Sequence, residues 1–123
     1  MPFEARPLRL IGLCAAWCGV CREFHPAFER VLAQQASSAL ALQAQWVDVE
    51  DPAISDALGD VDIETFPTVA IGCGEQLLFW GEILPSETVL RQLLERLDPL
   101  QAGRGMDVCK QQAWQALCQL LWP

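Results

Sequence analysis

Leu8-Arg9-Leu10-Ile11-Gly12-Leu13 runs straight into Cys14-Ala15-Ala16-Trp17-Cys18-Gly19-Val20-Cys21, and the reading of this stretch decides the fold. The apolar run, broken only by Arg9 and Gly12, has the length of a buried strand that ends as the cysteines begin. From about Cys21 to Ala36, Phe24, Phe28, Val31 and Leu32 recur at spacings of three and four, the signature of a helix with one buried stripe. Pro26 falls inside that helix, removes one backbone donor and predicts a kink. Cys18 therefore stands between a strand and a helix, where the donors of the first helical turn and the positive end of the helix dipole favour a negative sulfur. Two intervening residues bring Cys21 within disulfide reach of Cys18. The expected chemistry is attack by Cys18 and internal resolution by Cys21, a redox-active Cys18–Cys21 disulfide with no other cofactor and no metal. Gly19 allows a close backbone turn, Trp17 offers an apolar wall, and Arg22 adds positive charge.

Working outward, Gln45 to Val49 reads as a second strand, closed by Asp51-Pro52, and a short helix follows from Pro52 to Leu58 with Gly59 as its stop. Thr65-Phe66-Pro67-Thr68 leads into a third strand at Val69 to Ile71. The turn Gly72 to Glu75 sends the chain back through Gln76 to Trp80, an antiparallel hairpin. Ser86 is placed to cap a helix whose stripe is Val89, Leu90, Leu93, Leu94 and Leu97. Pro99 to Gly105 reads as a linker, and Asp107 caps a last helix carrying Val108, Ala113, Trp114, Leu117, Leu120 and Leu121. The pattern predicts an α/β sandwich whose sheet mixes parallel and antiparallel pairs.

With 123 residues, 52% of them hydrophobic, the chain suits one compact domain. The net charge of −8 is scattered, and no Lys/Arg cluster is available to neutralise phosphates, so nucleic acid is not an expected partner. No apolar stretch is long enough to span a bilayer, and Met1 to Arg6 lacks the pattern of a secretory signal. The expectation is a cytoplasmic monomer without membrane contact. Three of the six cysteines crowd between Cys14 and Cys21, which favours chemistry over stapling in a reducing compartment.

In three features the chain resembles the thioredoxin family. The box Trp17-Cys18-Gly19-Val20-Cys21 follows a strand, Pro26 comes five residues after the second cysteine, and Phe66-Pro67-Thr68 stands where the family places its cis-proline loop. The resemblance covers roughly Leu8 to Leu97. It implies a thioredoxin-like three-layer sandwich with a mixed four-stranded sheet: residues 1–97 form the domain, and residues 98–123 a linker and helix docked on it. It also implies protein thiol–disulfide exchange and a part in cell redox homeostasis, with protein disulfides as substrates and a redox-recycling partner. Pro67 is then cis and faces Cys18, and Phe66 offers its backbone to a bound substrate strand. Trp17, Gly19, Val20, Phe66, Pro67 and Gly81 shape the substrate groove.

The departures are equally specific. Where the family carries a buried acid, six residues before the first cysteine, this chain has Gly12, and Trp46 stands about where the lysine partner belongs. Glycine plus a large ring is a consistent replacement for a buried ion pair, since either charge alone is costly, and it predicts slower resolution at Cys21. Val20 replaces the proline of the box. The family's first strand and helix have no counterpart before Leu8, and the last helix is expected to cover the surface this exposes. Cys14 is a candidate accessory thiol, or else a small core hydrophobe. Cys73 sits at a hairpin tip, and Cys109 and Cys118 are nine residues apart on one helix, about 13 Å at 1.5 Å per residue, too far to pair within it.

Two rival functions share these residues. Cys14, Cys18 and Cys21 match the C-x3-C-x2-C spacing of iron–sulfur sites, but the chain is far shorter than such enzymes, and no second C-x2-C or C-x2-H pair completes a zinc site. His25 reads as a surface histidine. The other rival is a binding or adaptor module that keeps the groove with little turnover.

Overall fold

The computed structural model describes residues 8–35, 42–61, 63, 66–74, 76–96 and 108–122. Among these residues, four strands and four helices follow one another along the chain. They are β1 (Leu8–Cys14), α1 (Gly19–Gln35), β2 (Leu42–Asp48), α2 (Pro52–Leu58), β3 (Thr68–Cys73), β4 (Gln76–Glu82), α3 (Glu87–Arg96) and α4 (Val108–Leu121). The sheet order among the described residues is β2-β1-β3-β4. β1 pairs in parallel with β2, placing Gly12 opposite Trp46 and Cys14 opposite Asp48. β3 lies antiparallel on the other side of β1, with Gly12 opposite Val69 and Leu8 opposite Cys73. β4 completes the hairpin with β3. This is the mixed four-stranded sheet, flanked by helices, that the sequence implies.

Because side chains alternate across a strand, β1 feeds two cores. Ile11 and Leu13 join Val47, Ala70, Leu77 and Trp80 on the face covered by α2 and α4. Leu10 joins Val69 and Ile71 on the face covered by α1 and α3, where Phe24, Phe28, Val31 and Leu90 are seated. Each such side chain fully withdrawn from water contributes about 1.5–3 kcal/mol.

The caps follow local chemistry. Asp51 starts α2 by accepting from the Ala53 amide at 2.9 Å, with Pro52 as first helical residue. Ser86 Oγ accepts from the Val89 amide at 3.4 Å and opens α3. Asp107, expected to cap α4, and the linker from Pro99 to Gly105 lie outside the described residues.

The last helix covers the α2 face. Trp114 is fully buried, and its indole N–H donates to the Gly74 carbonyl at 3.2 Å. Gln111 accepts from the Leu77 amide at 3.3 Å, and the Trp122 ring lies 4.9 Å beneath the Arg9 guanidinium. Gly72 makes the seating possible: a Cβ there would stand 2.5 Å from both the Trp114 ring and the Gln76 carbonyl oxygen.

Two boundaries differ from expectation at the decisive stretch. β1 runs on through Cys14, and α1 starts at Gly19 rather than near Cys21. Only residues 15–18 remain to turn the chain. Pro26 is contained in one helix of 17 residues.

Candidate functional site

The strand end and the helix start meet at three sulfurs. Cys14 closes β1 and is held to β2 by the Val49 amide, which donates to the Cys14 carbonyl at 2.8 Å. Cys21 lies in the first turn of α1. These two cysteines form a disulfide, with Cα atoms 6.0 Å apart, inside the range the bond requires. Both are 2% exposed. In this structure the connectivity differs from the expected one: Cys21 is bonded to Cys14 and Cys18 is left free, so that Cys14 joins the site. The physical reason is the short turn, which folds the first turn of α1 back against the last residue of β1.

Cys18 keeps a free thiol and is half-buried. Its amide donates to the Ala15 carbonyl at 3.0 Å, and its carbonyl accepts from the Arg22 amide at 3.2 Å, the first bond of the helix. It therefore stands at the N-cap of α1, where unpaired amides point outward.

Around it the chain exposes apolar surface. Trp17 is 62% exposed, with its indole N–H on the Glu50 carboxylate at 2.9 Å and its ring edge-on to Phe66, 5.6 Å between centroids. Val20 is exposed, and the Gly19 Cα faces open space. The Phe66–Pro67 peptide is cis. The Pro67 carbonyl accepts from the Ile83 amide at 3.2 Å, which ties this loop to the end of β4. Gly81 sits two residues earlier on β4, opposite Val69, and the Phe79 ring is 3.2 Å from where its Cβ would be. The structure thus brings Trp17 and Phe66 into contact and sets Gly81 on the strand that holds Pro67.

Beside the disulfide opens a groove of about 270 Å³ lined by Cys14, Cys21, Arg22, His25, Trp46 and Asp48. Trp46 forms its wall. A Cβ on Gly12 would stand 2.8 Å from the Trp46 ring, and Phe28 and His25 pack on it at centroid distances of 5.0 and 4.5 Å. His25 also lies 3.7 Å from the Glu29 carboxylate. The glycine and the ring occupy one place in the sheet, opposite each other in register.

Glu50 and Asp48 were not singled out by sequence reasoning. Their signal was the acidic end of β2, which parallel pairing must bring beside the end of β1. Cys73 is at the opposite end of β1, paired in register with Leu8. Cys109 is exposed on α4, and Cys118 is buried with its sulfur 3.8 Å from the Gly74 carbonyl. Among the described residues, no group of three or more His, Cys, Asp or Glu side chains is arranged to hold a metal ion.

The family model described as Thioredoxin matches residues 4–83, about two thirds of the chain. The chain belongs to the thioredoxin family. Thioredoxin folds of known structure agree. Thioredoxin O1 from Arabidopsis thaliana, in its oxidised state, is 24% identical over 74% of this chain and 78% of its own, with a TM-score of 0.61. Mitochondrial thioredoxin 3 from Saccharomyces cerevisiae, also oxidised, is 19% identical over 76% and 82%, with a TM-score of 0.60. The germline-specific thioredoxin Deadhead from Drosophila melanogaster is 19% identical over 77% and 85%, with a TM-score of 0.59. No curated protein matches the chain. Thioredoxin-family enzymes work through a disulfide rather than a bound cofactor, and this chain holds one between Cys14 and Cys21. Among the described residues, no helix is long and apolar enough to cross a membrane.

Proposed function

We propose that the chain is a protein thiol–disulfide oxidoreductase in which Cys18 attacks and Cys21 resolves. The observation that carries this reading is a half-exposed free thiol at the N-cap of α1, three residues from a cysteine already engaged in a disulfide. The Cys18 thiolate attacks one sulfur of a substrate disulfide, forming a mixed disulfide and releasing the other sulfur as a thiolate, which takes up a proton. A reduced Cys21 then attacks the Cys18 sulfur, closing an internal disulfide and freeing the substrate as a dithiol.

Substrate chains lie along Trp17, Gly19, Val20, Phe66, Pro67 and Gly81. The exposed Trp17 ring braced on Phe66 supplies the apolar contact, and the indole bond to Glu50 fixes its orientation. The substrates are protein disulfides, a redox partner recycles the protein, and the reducing cytoplasm is its compartment. The working unit is a monomer, a domain at residues 1–97 with 98–123 as its docked extension.

The experiment is reduction of insulin by dithiothreitol, catalysed by wild type and Cys18→Ser. Loss of the attacking thiol is expected to lower the catalysed rate on the order of a hundredfold or more. Equal rates would favour a binding module with little turnover, the reading to which Gly12 and Trp46 lend weight by replacing the family's buried acid and lysine.

A further inference from the structure

We propose that Cys14 is a third redox cysteine, exchanging with Cys18 for the bond to Cys21, so that the oxidised protein retains a reactive thiol at Cys18. The inference rests on the reading above, in which Cys18 is the attacking sulfur. It adds a state that the two-cysteine cycle does not contain.

The geometry makes Cys21 a shared partner. It sits on the first turn of α1, three residues from Cys18 and, across the turn at residues 15–18, 6.0 Å Cα to Cα from Cys14. The exchange step balances without any outside oxidant or reductant. Starting from a Cys18–Cys21 disulfide, the Cys14 thiol gives up its proton and attacks the Cys21 sulfur. The Cys14–Cys21 bond forms, the Cys18–Cys21 bond breaks, and Cys18 leaves as a thiolate that takes up a proton in turn. Cys14 and Cys21 line one groove together with His25 and Asp48, polar groups to which that proton can pass.

Burial sets the direction. Cys14 is 2% exposed at the end of a core strand, where an anionic sulfur is costly and an apolar disulfide is not. Cys18 is half-exposed, so a sulfur that departs there meets water instead of the core. The sulfur left over after oxidation is therefore Cys18.

A free Cys18 beside an occupied Cys21 changes what the protein does. It still attacks a substrate disulfide, but Cys21 no longer resolves the mixed disulfide, so release comes from another thiol of the substrate itself. The outcome is rearrangement of disulfides with no net reduction. The oxidised form is thus an isomerase for proteins with mispaired disulfides, the substrate thiol freed by the attack of Cys18 carrying the rearrangement on until one substrate sulfur releases Cys18.

The test is a disulfide map of the oxidised full-length chain, its free thiols blocked with N-ethylmaleimide after an acid quench and its peptides read by mass spectrometry. The expected majority species links Cys14 to Cys21 and carries the label on Cys18. A majority linking Cys18 to Cys21, with the label on Cys14, overturns the proposal while leaving the two-cysteine reading intact. Loss of insulin reduction in Cys18→Ser tests that reading separately. In oxidised Cys14→Ala, labelling of Cys18 is expected to fall at least tenfold, and undiminished labelling overturns the proposal. Reactivation of disulfide-scrambled ribonuclease, with no added thiol, reads the same sulfur. Oxidised wild type is expected to outpace oxidised Cys14→Ala at least tenfold, and equal rates count against Cys14 as a redox partner.

Discussion

Two glycines make room for two tryptophans on opposite faces of the sheet, and they do so for different ends. Gly12 on β1 lies against Trp46, whose ring walls the groove beside the disulfide. Gly72 on β3 lies against Trp114, whose ring seats α4. In the first pair a Cβ on glycine meets only side-chain atoms, the nearest at 2.8 Å. In the second it meets a ring and a backbone carbonyl together, both at 2.5 Å. A ring packed among movable side chains can give way, whereas a carbonyl fixed in a strand cannot. The lesson is that one substitution pattern, glycine facing a large ring, serves adjustment at the site and rigid attachment away from it.

The largest effect is expected from emptying the rigid pair. Trp114→Ala removes a fully buried ring and the bond to Gly74, and should cost about 4 kcal/mol, read as a fall in the urea midpoint. Gly72→Ala comes next. Its methyl group cannot be housed without moving α4 or the hairpin, a cost of about 3 kcal/mol by the same measurement. Insulin reduction per folded molecule is expected to stay near wild type in that variant, since Gly72 lies far from the sulfurs.

Gly12→Ala should cost less, about 1 kcal/mol, because a shift of Trp46 relieves the contact and alanine loses less backbone entropy than glycine on folding. Unlike Gly72→Ala, it should change the rate of insulin reduction, because the displaced ring lines the groove beside Cys14 and Cys21. Equal behaviour of the two glycine variants in both measurements would break the comparison.

The smallest effect belongs to the surface ion pair that clasps α1 to α3. The Arg30 guanidinium, at 2.7 Å, and then Gln34 hold the Glu87 carboxyl below its ordinary range. A carboxyl held low in the folded state stabilises at pH values above its ordinary range, and that contribution is lost as pH falls through the lowered value. Arg30→Ala should therefore lower the thermal midpoint slightly at neutral pH and low salt. The difference should close in acid. A difference that widened in acid would reverse the assignment.

Much of this architecture is legible in the chain because local signals agree with the fold. The strip at Phe24, Phe28 and Val31, the proline at the start of α2 and the serine before α3 each have a purely local cause, and each element appears near where its pattern lies. β2 begins three residues before its expected start because parallel pairing with β1 extends it, with Leu42 opposite Leu8. That extension is a tertiary effect that no local pattern in Leu42 to Ala44 announces. The disulfide partner of Cys21 was hidden for a related reason. It depends on β1 reaching Cys14 and on α1 starting by Gly19, and a shift of two residues at either boundary changes which sulfurs meet. The Trp17 bond to Glu50 likewise exists only once β2 stands beside β1.

Pro26 gives the three-sulfur corner a mechanical independence. Lacking an N–H, it leaves the carbonyl of Arg22 without its usual partner four residues on, so the spiral of α1 is missing one rung just past the turn that bears Cys21. Beyond that gap Phe28 and Val31 are locked among other side chains. A switch of bonding at Cys21 therefore acts on a first helical turn tied to the rest of α1 by one backbone bond fewer. The missing rung thus lies between the turn on which the proposed exchange would act and the turns that anchor the interior.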